Sequence, residues 1–137
     1  TDYEKGLAYA KSVNKPILLD FTGFACVNCR KMEDYVWSDP RILSILNNEV
    51  VLISLYVDDK RELPLEEQYV SKETGKKIKS IGNKWSDFQI TRYKANAQPY
   101  YIVLDTNEKS LNKAAGYTPD IAEYEQWLKS GIEQFQK

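Results

Sequence analysis

Only two cysteines occur in this 137-residue sequence, and they stand three residues apart in Cys26-Val27-Asn28-Cys29. One helical turn brings residues i and i+3 together, so two thiols at this spacing can close a small-ring disulfide and reopen it without moving the rest of the chain. Such a pair is suited to trading its bond with a disulfide of another molecule. The competing readings are weaker. A structural disulfide across so short a loop constrains the unfolded chain little, because the entropic gain grows with loop length. A structural zinc site wants four ligands, and this chain offers two thiols and no histidine, although zinc shared between two chains stays open. The absence of histidine also removes Ser-His and Cys-His nucleophile activation and histidine pH switching. The expected chemistry is therefore dithiol–disulfide redox with no metal and no organic cofactor. A non-catalytic binding module, its C-x-x-C structural or zinc-bridging, is the alternative of another class.

The pair must be held by the elements on either side. Ile17-Leu18-Leu19-Asp20-Phe21-Thr22 reads as a strand whose near-continuous apolar character predicts burial on both faces, and Gly23 breaks it. From Val27 to about Trp37 the pattern is helical, with Met32, Tyr35 and Val36 spaced by about a turn. The cysteines thus fall where a helix begins, and unpaired N–H groups there favour thiolate over thiol. Asp20 is a carboxylate inside an otherwise apolar strand, which is costly unless it is used or paired. Cys26, Cys29 and Glu33 share one helical face by the i, i+3, i+7 rule; the plain alternative for Glu33 is a solvated helix acid. Burial would raise both carboxyl pKa values, and negative charge nearby would raise those of the thiols, while Arg30 and the helix start favour thiolate.

The remaining pattern supplies the frame. Asp2 caps a first helix from Tyr3 to Val13, which Asn14-Lys15-Pro16 ends. Ser38-Asp39-Pro40 restarts a short helix carrying Ile42, Leu43, Ile45 and Leu46. Val50 to Tyr56 is a β-branched strand. Asp58 to about Asn83 is a polar, lysine-rich excursion with Pro64, Gly75 and Gly82 as breakers and a small hairpin from Tyr69 to Ile78 turning at Thr74-Gly75, and a helix resumes around Lys84. Gln98-Pro99 precedes a strand, Tyr100 to Asp105; after a turn at Thr106-Asn107-Glu108, Leu111 to Ala115 pairs back antiparallel. The last helix carries the stripe Ile121, Tyr124, Leu128, Ile132 and Phe135. Strand–helix–strand units predict parallel pairing by right-handed crossovers. The fold class is α/β, a central mixed sheet flanked by helices on both faces, with an excursion inserted at about 58–83.

Composition bounds the rest. Nineteen Lys+Arg against 20 Asp+Glu give a net charge of −1, which argues against nucleic acid or an anionic membrane as partner. With 42% apolar and 28% charged residues, the chain matches the globular average and reads as one domain over 1–137. No stretch approaches the ~20 apolar residues of a membrane span. The chain begins at Thr1 rather than Met and is expected to be a processed product or a domain cut from a longer protein. The ten tyrosines are expected mostly in the core or sheet, and the excursion's lysines on a solvated face.

The stretch Asp20-Phe21-Thr22-Gly23-Phe24-Ala25-Cys26-Val27-Asn28-Cys29-Arg30 resembles the active-site segment of the thioredoxin superfamily, and Gln98-Pro99 before a strand resembles its cis-proline loop. More narrowly, Cys26-Val27-Asn28-Cys29-Arg30-Lys31-Met32-Glu33, followed by Trp37-Ser38-Asp39-Pro40, resembles the C-terminal periplasmic domain of DsbD-type thiol:disulfide interchange proteins. The resemblance runs from about Lys15 to Phe135. It implies a thioredoxin-like fold and a protein-disulfide reductase in which Cys26 attacks, Cys29 resolves, Asp20 is a buried acid that helps move protons, and Glu33 is a second acid. It also implies a cis Pro99, with Gln98, Ala25 and Val27 beside the disulfide where a partner's chain docks. The implied electron donor is an upstream membrane-embedded dithiol domain, and the acceptors are periplasmic thioredoxin-like proteins or domains. The implied setting is a monomeric periplasmic domain of a bacterial inner-membrane protein. A free-standing periplasmic thioredoxin or disulfide isomerase is the enzymatic alternative. Two departures favour a dedicated relay over a general thioredoxin: Ala25 stands where tryptophan is usual, and Val27-Asn28 where Gly-Pro is usual. The intervening residues are uncharged, so little stabilises the attacking thiolate beyond the helix start and Arg30, and the expected direction is reductive.

Overall fold

In the computed structural model, which describes residues 2–137, the apolar run Ile17–Thr22 forms β1, and all six of its residues are buried. It is the middle strand of three. β2 (Val51–Tyr56) lies parallel on one side and β5 (Tyr100–Leu104) antiparallel on the other. The mixed sheet follows from the connections. A helical crossover joins β1 to β2, and β5 arrives from the opposite direction.

Strand alternation divides the core in two. Leu18 packs with Met32, Val36, Ile42, Ile45 and Leu128 under the helices that follow the cysteines: α2 (Val27–Lys31), α3 (Pro40–Asn48) and α5 (Ile121–Gln136). Ile17, Leu19 and Phe21 face the other way, against α1 (Asp2–Val13) and the aromatic side chains of α4 (Ile81–Tyr93). Asp39 caps α3 with Pro40 in its first turn, and Asp120 caps α5 by accepting the Glu123 N–H at 2.9 Å. The stripe read for α5 faces the core at Tyr124, Leu128 and Ile132.

Three boundaries differ from the sequence expectation, each for a local reason. The helix expected to run from Val27 to Trp37 is α-helical only to Lys31, and Met32–Trp37 is a π-helical turn. At the change the Met32 N–H is shared between the Asn28 and Cys29 carbonyls. The strand expected at Leu111–Ala115 pairs only at its ends, where the Leu111 N–H reaches Val103 O and Tyr101 and Ala115 exchange both backbone bonds. Between them the chain turns toward α5. Asn112 Nδ2 donates to Trp127 O at 2.8 Å, and Trp127 Nε1 donates to Lys113 O at 2.6 Å. α4 begins at Ile81 rather than near Lys84, with Ser80 and Asn83 capping each other's backbone. Gly82 is not a breaker. It lies in the first turn of α4 because an ideal Cβ there would stand 2.6 Å from Val57 O and Asp59 N.

The excursion is ordered by both of its ends. The Gly82 N–H bonds Asp59 O, the Ile81 N–H bonds Arg61 O, and the Leu63 N–H bonds Lys79 O. Its hairpin is the one expected. β3 (Tyr69–Val70) pairs antiparallel with β4 (Lys77–Ile78), and Gly75 takes the positive φ of 74° that the turn requires. Asp87 of α4 is buried and accepts hydroxyl bonds from Tyr69, at 2.6 Å, and from Ser71, which fastens the hairpin to the helix.

Candidate redox site

The end of β1, the turn 23–25 and the first residues of α2 bring the two cysteines together. Cys26 is the N-cap of α2 and Cys29 lies within its first turn. The two sulfurs are bonded, with the Cα atoms 5.2 Å apart, and the Cys29 N–H points at Cys26 Sγ at 3.2 Å. The pair is asymmetric. Cys26 is half-buried, whereas Cys29 is only 2% exposed. Around the outer sulfur the surface is apolar and open: Ala25 is exposed, Phe24 is 59% exposed and Val27 66%. An incoming thiol or disulfide therefore meets Cys26, and Cys29 is reached only through it.

Asp20 stands two residues beyond Leu18 on β1 and so faces the same side of the sheet as α2. It is 2% exposed. Ser54, its register partner on β2, donates a hydroxyl bond to Oδ2 at 3.0 Å. Burial pushes the Asp20 carboxyl up to about 7, and the charge of Glu33 adds to the rise; the Ser54 hydroxyl and the Arg30 cation offset part of it. Asp20 is thus buried and hydrogen-bonded inside its apolar strand. The four buried apolar side chains of β1 each stabilise the fold by roughly 1.5–3 kcal/mol. Together they outweigh the few kcal/mol that a buried hydrogen-bonded carboxyl costs.

Of the two readings of Glu33, buried acid or solvated helix acid, the structure is nearer the second. It sits in the π-helical turn with its side chain 35% exposed, and Arg30 Nη2 pairs with it at 2.8 Å. The same Nη2 also reaches Thr22 Oγ1 at 3.2 Å, so Arg30 ties the helix to the end of β1. Glu33 acts on Asp20 through space rather than by sharing its buried site.

The Gln98–Pro99 peptide is cis and Pro99 is buried. The register Phe21↔Tyr100 sets this loop at the end of the sheet that carries the cysteine turn. The Gln98 side chain is turned inward: its Nε2 donates to Gln89 Oε1 at 2.9 Å, and the fully buried Gln89 donates in turn to Ala97 O at 2.9 Å. Any contact that Gln98 offers a partner is therefore made by its backbone.

Two features escaped the sequence reading. Asp58, grouped with the solvated excursion, accepts the backbone N–H groups of Phe24 and Ala25 at 2.8 and 3.0 Å. Partial burial would raise its pKa, but these two bonds outweigh that and hold it below the usual carboxylate range. The ring of Phe24 stacks on Tyr56 with centroids 4.1 Å apart. The signal was present in the register. Thr22 lies opposite Tyr56, so the residues just beyond each strand must meet.

A family model described as a thioredoxin-like domain matches residues 3–132. The chain belongs to this family. Among solved structures, the thioredoxin-like fold is shared with a DsbH oxidoreductase, at TM-score 0.68 and 22% identity over 96% of this chain and 81% of that one. The reduced C-terminal domain of Neisseria meningitidis DsbD superposes at TM-score 0.61 with 12% identity, over 94% and 93% of the two chains. In sequence, the thiol:disulfide interchange protein DsbD of Salmonella typhi is 41% identical over 49 residues, 36% of this chain and 9% of that protein. DsbD of Vibrio vulnificus strain CMCP6 is 37% identical over 51 residues, 37% of this chain and again 9% of the relative. A thioredoxin-like domain whose C-x-x-C sulfurs lie within bonding distance carries the apparatus of thiol:disulfide exchange.

Asp20 makes stability fall with pH. Its folded pKa lies above its unfolded value of 3.8, so the folded protein holds the extra proton between about pH 4 and 7. The stabilisation is present below pH 4 and lost as pH rises through about 7. At 1.36 kcal/mol per unit, the loss amounts to roughly 4 kcal/mol. Urea unfolding of the oxidised protein from pH 4 to 8 should show the parent losing about this much relative to Asp20→Asn. Parallel curves for the two proteins would contradict the assignment.

Proposed function

We propose that this domain is a protein-disulfide reductase, passing two electrons at a time from an upstream dithiol to the disulfides of partner proteins. The observation that carries this reading is the asymmetric Cys26–Cys29 bond, with a buried acid on the strand that leads into it. One sulfur is within reach of a visitor, the other is sheltered, and the carboxyl of Asp20 is able to change protonation near neutral pH.

In the reduced domain, the Cys26 thiolate attacks a partner disulfide, forms a mixed disulfide and releases the partner's first sulfur, which takes up a proton. Asp20 accepts the Cys29 proton. The Cys29 thiolate then attacks Cys26 Sγ, closes the internal bond and expels the partner's second sulfur, which takes the proton that Asp20 held. The partner gains two electrons and two protons, the first proton from solvent and the second from Cys29 by way of Asp20; the domain loses two electrons and waits for its donor. Arg30 holds Glu33 and the end of β1 in place, and Glu33 favours protonation of Asp20. The exposed Ala25 and Val27, with the backbone before Pro99, receive the partner's chain around its cysteine.

The likeness to DsbD supports a more specific setting: a periplasmic domain of a bacterial inner-membrane protein. Its donor would be a membrane-embedded dithiol domain of the same protein, and its acceptors other periplasmic thioredoxin-like domains. The matched DsbD relatives are much longer than this chain, and no helix among the described residues is long and apolar enough to cross a membrane. The reductive direction rests on the uncharged Val27-Asn28 between the cysteines and on the acids Asp20 and Glu33, which oppose thiolate.

Insulin reduction driven by dithiothreitol separates a catalyst from a binding module. The parent accelerates precipitation of the insulin B chain and Cys26→Ser does not; equal rates would remove the catalytic reading. Direction is read separately, by equilibration against glutathione. The expected potential lies nearer the thioredoxin value of about −270 mV than the strongly oxidising value of about −120 mV. A strongly oxidising potential would reverse the proposed electron flow.

A further inference from the structure

The base of the excursion reaches into the redox site through one side chain. Both carboxylate oxygens of Asp58 are used: Oδ1 accepts the Phe24 N–H at 2.8 Å and Oδ2 the Ala25 N–H at 3.0 Å. These are charge-assisted bonds from the two residues immediately before Cys26. The approach is close because residue 23 is glycine; an ideal Cβ there would lie 3.2 Å from Asp58 Oδ2. The Cys26 N–H closes the same turn onto Gly23 O at 3.3 Å. Asp58 is itself fixed from two directions. The Val57 N–H bonds Thr22 O, extending the β1–β2 pairing, and the Gly82 N–H bonds Asp59 O, so the first turn of α4 clasps the segment from below.

We propose that Asp58 is a positioning residue for Cys26: through the Phe24 and Ala25 amides it fixes the turn that delivers the sulfur to the helix start, and it couples the redox site to the excursion rooted at 57–59. The proposal rests on the reading of Cys26 as the attacking thiol. Arg30 links the charged groups at this end of the sheet: it acts on Asp20 of β1 and on Asp58 at the root of the excursion, and it pairs with Glu33. Neutralising Asp58 removes one of the three anions, which favours the Cys26 thiolate. Removing the acceptors frees two amides of the turn.

The test uses the reduced full chain as parent, Asp58→Asn and Asp58→Ala, with alkylation of Cys26 by iodoacetamide followed from pH 5 to 10 and amide hydrogen exchange read at Phe24 and Ala25. In both variants the alkylation midpoint should fall by roughly half a pH unit. Exchange at the two amides should accelerate at least about tenfold in Asp58→Ala, and less in Asp58→Asn, which keeps one acceptor oxygen. A merely structural role would lower the unfolding midpoint and leave the alkylation profile in place. An unshifted profile in a folded variant overturns the proposal, and Asp58→Asn carries the test if the alanine variant does not fold. Should the parent fail to reduce insulin while the midpoint still shifts, the positioning role stands and the catalytic reading falls.

Discussion

A carboxyl group is held inside the sheet by the apolar side chains on either side of it. β1 is buried at every position, so Asp20 cannot turn to solvent without pulling Leu19 and Phe21 out of the core. The strand's apolar content thereby sets the protonation of its one acid, and the acid lies on the face that the cysteine helix covers. Placed on an exposed strand, the same residue would be a permanent anion opposing thiolate formation at all working pH values. Buried here, it changes protonation near neutrality, in the range where a resolving thiol must give up its proton.

The second constraint is register. β1 and β2 run parallel and in step from Ile17↔Val51 to Thr22↔Tyr56. This single alignment places Ser54 against Asp20, Tyr56 beneath Phe24 and Asp58 beneath the turn before Cys26. A slip of one residue would send Ser54 to the opposite face and leave the Asp20 carboxylate without its hydroxyl donor. The excursion reinforces the alignment from outside. Gly82 admits the backbone of Val57 and Asp59 at a distance that any side chain would forbid, so α4 closes directly onto the strand's end.

Much of this was legible in the residues. The cysteine spacing, the carboxylate within an apolar strand, the cap at Asp39-Pro40 and the stripe of the last helix all act locally, and local signals survive reading in one dimension. What was missed depends on partners distant in sequence. Asp58 stands among lysines and glutamates and reads as solvated; its function comes from a turn 33 and 34 positions earlier. Gly82 reads as a breaker when its meaning is a close approach of backbones. The strand at Leu111–Ala115 was given up to Asn112 and Trp127, whose polar atoms bind α5 and the loop together. Glu33 fell on the expected face, but Arg30 and the π-helical turn hold it at the rim. The cis state of Pro99 was reached only through family resemblance, since an X-Pro pair before a strand is compatible with either isomer.

One sulfur of the pair meets the outside world and the other meets only its neighbour. A brief pulse of a bulky maleimide on the dithiol form, with the labelled peptides mapped by mass, measures this asymmetry directly. Modification confined to Cys26, with Cys29 untouched until the chain is denatured, is the predicted result. Equal labelling of both thiols, or preferential labelling of Cys29, would contradict the account.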